Sequence, residues 1–312
     1  MDKNMSWRKN LLALTHGKCR GCPSCDGYGC KGELPGMGAL GNNDSFINNV
    51  SSWKKIYSSL PLLSLKERND IKIGVAPVTG VDENMGSPRG LDEKEFLSLL
   101  IASALKAKAD ISIGDGFPDY KLQNGIEGLM KAGGRGYVFI KPYPNKKILE
   151  RIEWTENVAL CVGIDIDAAS IKTMAQKATL EEKSVTQLKQ IKEAVNHKGL
   201  PFVVKGIHTN EMIELVKQVK PDVAYISNHG GRVVASDSGI GFFLEKNGST
   251  IAGYCDQMWA DSGIRSYEDL LVAFHFGVKR CFTGRMSIEY VAHFGIDGIS
   301  QMLKHQYRLN DL

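Results

Sequence analysis

The chain has 312 residues, 39 of them basic and 35 acidic, for a formal net charge of +4. So even a balance calls for neither nucleic acid nor a membrane surface as partner. At 43% apolar residues it can bury a large core without staples, and no run reaches the roughly 18 apolar residues of a membrane span. The opening MDKNMSWRKNLLAL lacks the apolar stretch and cleavage site of a signal peptide, so a cytoplasmic location is expected. There, seven cysteines are expected as thiols or metal ligands rather than disulfides.

In chain order, residues 1–45 form a Cys- and Gly-rich segment expected to pack on the domain that follows, 46–312. Cys19, Cys22, Cys25 and Cys30 give C-x2-C-x2-C-x4-C. That spacing suits a four-cysteine iron–sulfur cluster or a structural zinc; reduced thiols in a glycine-rich loop are the alternative.

From residue 71 a pattern repeats: a short β-rich run, a turn, then a helical stretch. The runs are IKIGVAPV (71–78), ADISIG (109–114), GYVFIK (136–141), VALCVGID (158–165), PFVVKGI (201–207), VAYISN (223–228), QMWADSG (257–263) and RCFTGR (280–285). Most are nearly continuously apolar, as parallel strands covered on both faces require. EKEFLSLLIASALKAK (93–108), SVTQLKQIKEAVNHKG (184–199), NEMIELVKQVK (210–220) and SYEDLLVAFHFG (266–277) carry apolar residues at helical spacing. Eight strands alternating with helices predict a closed (β/α)₈ barrel. A doubly wound open sheet would show a glycine fingerprint after its first strand, and IKIGVAPVTGVDENMG lacks one. The segment 233–255 after Arg232 reads as irregular, suited to a lid.

Barrel sites gather at the C-terminal ends of the strands. Those ends hold Pro77, Val78, Asp115, Lys141, Tyr143, Asp165, Lys205, His229, Arg232, Asp261 and Arg285, so ionisable groups collect on one rim.

LPFVVKG, AYISNHGGR, ADSGIRS and FTGR, in that order, resemble the FMN-dependent 2-hydroxy-acid dehydrogenases and oxidases, the family of glycolate and lactate oxidases. The likeness is strong over 197–308 and weaker over 46–165. It implies an FMN oxidoreductase that turns a small 2-hydroxy acid into the 2-oxo acid and passes electrons to an unidentified acceptor. It leaves a homo-oligomer open. His229 would take the substrate proton, a role imidazole suits as a general base. Arg232 would pair with the substrate carboxylate. Asp261 would orient His229. Lys205 would stabilise negative charge on the reduced flavin. Ser262, Gly263, Arg265, Gly284 and Arg285 would receive the FMN phosphate after strands seven and eight. Ala76, Pro77, Val78, Ser112, Cys161 and Ser227 would also contact the cofactor. Lys141 stands where the family has a glutamine beside the flavin, and Tyr143 keeps a tyrosine near the substrate.

The family's second substrate arginine, soon after strand four, is missing from GIDIDAAS. That, with Lys141, keeps a non-oxidative, isomerase-type FMN barrel in view, and the cysteine cluster keeps a flavin or metal module that relays electrons.

Overall fold

The computed structural model describes residues 44–60, 71–81, 87–171, 174, 177–233 and 239–309. The four N-terminal cysteines lie outside them. Among the described residues, no helix is long and apolar enough to cross a membrane.

Eight parallel strands close in sequence order into a barrel. They are β1 (Ile73–Val78), β2 (Asp110–Gly114), β3 (Gly136–Ile140), β4 (Ala159–Asp165), β5 (Phe202–Ile207), β6 (Val223–Ile226), β7 (Gln257–Ala260) and β8 (Val278–Thr283). Each falls within its expected run except β8, which starts two residues early. The helices are α1 (Asp44–Ser59), α2 (Glu93–Lys106), α3 (Tyr120–Lys131), α4 (Asn145–Trp154), α5 (Val185–His197), α6 (Asn210–Val219), α7 (Ile240–Ala252), α8 (Tyr267–His275), α9 (Arg285–Phe294) and α10 (Gly298–Tyr307). Capping boxes start α2 at Asp92 and Glu95, α5 at Ser184 and Gln187, and α8 at Ser266 and Asp269.

α7 corrects the expectation of an irregular lid over 233–255. Its two internal glycines dilute the helical signal, but Ile240, Phe243, Leu244 and Ile251 are buried on it. Residues 234–238 lie outside the described set.

Alternation along the strands sorts the side chains. Val75, Ile113, Val138, Ile164, Val204 and Ile226 belong to the core between strands and helices. Tyr137, Phe139, Cys161, Val203, Tyr225, Trp259 and Phe282 fill the barrel interior. Rings there pack at 5.4 Å for Phe139–Tyr225 and 5.2 Å for Tyr225–Phe282, so the barrel is plugged rather than hollow. Two residues further along their strands come Lys141, Lys205, Ser227, Asp261 and Gly284. Period two therefore sets a polar layer directly on the aromatic plug, at the C-terminal mouth.

Helix α1 crosses that mouth beside β6 and β7. Trp53 Nε1 donates to the Ser262 carbonyl at 3.0 Å, and Asn49 Nδ2 donates to Asn228 Oδ1 at 2.8 Å. Gly263, at φ +92°, lies so close that a Cβ there would sit 2.7 Å from the Asn49 carbonyl carbon. A side chain at 263 would push α1 off the mouth.

Candidate active site

A cleft open to solvent, with a cavity volume of about 130 Å³, lies over the polar layer.

His229 opens a short 3-10 turn, His229–Gly231, just after β6. Its Nδ1 lies 2.8 Å from Asp167 Oδ2. Its Nε2 lies 3.2 Å from Asp165 Oδ2 and 3.4 Å from Lys141 Nζ. Asp165 ends β4, and Asp167 sits in the 3-10 turn Ile166–Ser170 that follows. Both carboxylates are buried. Gly206, at φ +104°, makes room for Asp167: a Cβ at 206 would meet Asp167 Oδ1 at 2.2 Å.

The expected bond from Asp261 to His229 is not what the chain forms. Asp261 Oδ1 accepts from Ser262 Oγ at 2.6 Å, and its Oδ2 is 3.8 Å from Lys205 Nζ. The turn after β4 delivers Asp167 to the ring instead, while Asp261 is held by its own neighbour.

Lys205 Nζ lies 3.0 Å from Asp165 Oδ1 and donates to Ser227 Oγ at 3.3 Å. Burial works against its charge, yet Asp165, Asp261 and Asp167 outweigh it and hold the ammonium above its ordinary range. Burial would also raise Asp165, but Lys141, Lys205 and His229 prevail and hold that carboxyl well below the usual range. Lys141 Nζ completes the set, 2.7 Å from Asp165 Oδ2. One carboxylate thus bridges two lysines and the histidine.

Ala76, Pro77, Val78, Ser262, Gly263 and Gly284 line the cleft, as do Arg232, Arg265 and Arg285. The Phe46 ring, from α1, lies between two of those arginines, its centroid 3.6 Å from Arg285 Cζ and 4.9 Å from Arg265 Cζ. Arg285 also begins α9, so the helix N-terminus and two guanidiniums converge on one corner. That corner suits an anion.

Four expected contacts stand elsewhere. Ser227 lies beneath the cleft, bonded to Lys205 and to the His229 backbone N–H. Ser112 is buried, and its hydroxyl has no hydrogen-bond partner among the described residues. Cys161 belongs to the aromatic plug and lines an opening with Pro201 and Arg280, away from this mouth. Tyr143 is turned away from the cleft. Its hydroxyl donates to the Gly116 carbonyl at 3.2 Å, and its ring is flanked by Arg151 at 4.7 Å and Lys147 at 4.5 Å. Arg151 is fixed there by Asp115 at 2.8 Å, which explains the tyrosine's direction.

Sequence reading left Asp165 without a role and missed Asp167 and Phe46. The Asp-x-Asp pair at the end of β4 was the available signal for the first two; Phe46 had none.

An eight-stranded barrel with two lysines and three carboxylates buried around a half-buried histidine at its C-terminal rim defines a barrel of the enzyme kind. A model for the FMN-dependent dehydrogenase family matches residues 140–307, more than half of the chain, and the chain belongs to that family. The 2-hydroxyacid oxidase 2 of Rattus norvegicus is 32% identical over 104 residues, 33% of this chain and 29% of the rat protein. Its Mus musculus counterpart is 25% identical over 185 residues, 51% of this chain and 52% of the mouse protein. A 4-hydroxymandelate oxidase of Amycolatopsis orientalis is 34% identical over 114 residues, 36% of this chain and 31% of that protein. The matches thus span about half or less of these relatives' length. A solved mandelate oxidase with benzoyl-formic acid shares the fold, with a TM-score of 0.67 at 18% identity over 98% of this chain and 91% of its own.

The residues lining the cleft suit a flavin mononucleotide. The Arg265–Arg285 corner and the start of α9 suit its phosphate. Lys205 stands over the aromatic plug, where the ring system would lie against β1 and β5.

Proposed function

We propose that the chain is an FMN-dependent oxidoreductase that converts a small 2-hydroxy acid to its 2-oxo acid. The observation that carries this reading is His229 held at Nδ1 by Asp167 with its Nε2 at the cleft floor. Bound FMN would supply the two-electron acceptor. Arg232, in the cleft wall, would hold the substrate carboxylate. His229 would take the substrate's proton at Nε2. In the neutral ring Nε2 can accept from Lys141; once protonated it donates to Asp165, so the new charge meets a carboxylate on each side. Asp167 keeps the ring in the tautomer that leaves Nε2 able to accept. Lys205, held charged by its carboxylate neighbours, would compensate negative charge gained by the flavin. An unidentified acceptor would reoxidise the protein.

The test is the visible spectrum of anaerobically purified protein during addition of a panel of 2-hydroxy acids. Bleaching of the flavin bands by one acid, slowed at least about 100-fold in His229→Ala, is the expected result. A bound flavin that no acid in the panel reduces would sink the oxidative reading and leave non-oxidative proton transfer on the flavin barrel.

A further inference from the structure

We propose that Lys141 is the second cation that grips the substrate carboxylate, beside Arg232, and that Asp165 is the residue that positions it. This rests on the 2-hydroxy-acid reading above.

Lys141 follows Phe139 by two residues, so its side chain stands on the aromatic plug and reaches the cleft floor. An ammonium has three donors. Asp165 takes one at 2.7 Å, and His229 Nε2 lies 3.4 Å away on another side. A 2-hydroxy acid carries its hydroxyl and one carboxylate oxygen on adjacent carbons. Those two atoms can meet two nitrogens 3.4 Å apart, the hydroxyl at Nε2 and the carboxylate oxygen at Nζ. The same molecule that gives its proton to His229 is therefore within reach of Lys141.

The charge balance argues that the grip is a direct one. Lys141 and Lys205 face three carboxylates, Asp165, Asp167 and Asp261. The two ammoniums are thus offset by their own neighbours, so a carboxylate gains from Lys141 only by touching it. The chain also lacks an arginine after β4, where the sequence GIDIDAAS runs. Lys141 supplies a cation from the neighbouring strand.

The pairing has a consequence that a merely structural salt bridge would not share. In Lys141→Gln the substrate meets a neutral amide in place of a charged donor, and Asp165 is left without its nearest cation on that oxygen. Like charges at close range repel. Adding Asp165→Asn removes the repulsion, so the double variant should bind an anion better than Lys141→Gln alone.

The probe is oxalate, a small planar dianion with oxygens on adjacent carbons. Its affinity is read from perturbation of the visible spectrum of the FMN-loaded protein and by calorimetry. Exchanging a charged hydrogen bond for a neutral one, with Asp165 left facing the dianion, should weaken oxalate at least about fivefold in Lys141→Gln. The double variant should regain at least about threefold of that loss, with flavin content unchanged in both. Wild-type affinity in Lys141→Gln, a double variant weaker than Lys141→Gln, or wild-type protein that does not bind oxalate would each overturn the proposal. If oxalate responds as expected but no 2-hydroxy acid bleaches the flavin, the carboxylate grip stands and the reaction assignment falls. If an acid bleaches the flavin while oxalate ignores Lys141, the reverse holds.

Discussion

Replacing Asp167 with Asn tests how His229 is made into a base. The substitution keeps the shape and removes the charge opposite Nδ1, 2.8 Å from Oδ2. At an effective dielectric near 20, unit charges about 4 Å apart interact by about 4 kcal/mol. That energy is realised only once the ring has taken a proton, so it acts on the barrier rather than on binding. Asp165, 3.2 Å from Nε2, still faces the charged ring and limits the loss. The expected cost is about 2 to 4 kcal/mol, a slowing of roughly 30- to 1,000-fold. The assay is anaerobic stopped-flow reduction of the flavin by the acid found in the panel, with oxalate affinity as control. Oxalate affinity should move less than about threefold, since Asp167 bonds the ring rather than the cleft. A reduction rate within about threefold of wild type would refute the reasoning, and Asp261→Asn should then be tried as the orienting carboxylate.

Three further outcomes are expected. Phe46→Ala removes the ring between Arg265 and Arg285, and the lost cation–π contacts should weaken FMN binding about 2- to 30-fold by fluorescence titration; undiminished affinity counts against this role. Asp269 is pushed up to about 6, chiefly by burial, against the bonds it accepts from Arg265 and Ser266. An unfolded Asp ionises near 3.9, so between these values the folded state holds the extra proton and stability falls as pH rises. That fall, at most about 3 kcal/mol from pH 4 to 7, should flatten in Asp269→Asn in urea unfolding series; an unchanged slope refutes it. Finally, elemental analysis of anaerobically purified protein decides the sequence expectation for the N-terminal cysteines: iron with sulfide, or zinc, lost in the Cys22→Ser and Cys25→Ser variants would make them ligands, and finding none would leave them as thiols.

The barrel was legible because parallel strands covered on both faces have to be apolar, and eight such runs alternate with helices. Period two also made the strand-borne part of the site readable. Once Val203 and Phe139 point inward, Lys205 and Lys141 do too, and nothing distant has to be known. The SNHGGR run likewise placed His229 at the mouth, because its strand ends there.

What tertiary structure alone decided concerns side chains carried by turns. Whether Asp261 or Asp167 meets His229 depends on the path after β4 and on the space that Gly206 leaves for it. Tyr143 lies one turn beyond its strand, and Arg151 on α4 draws it away from the cleft that its sequence position suggested. Phe46 reaches the arginines only because α1 folds back across strands more than 170 residues away along the chain, as the Asn49–Asn228 bond shows. Direction along a strand is a local property of the backbone. The course of a turn is set by whatever packs against it, and in this chain those partners are distant in sequence.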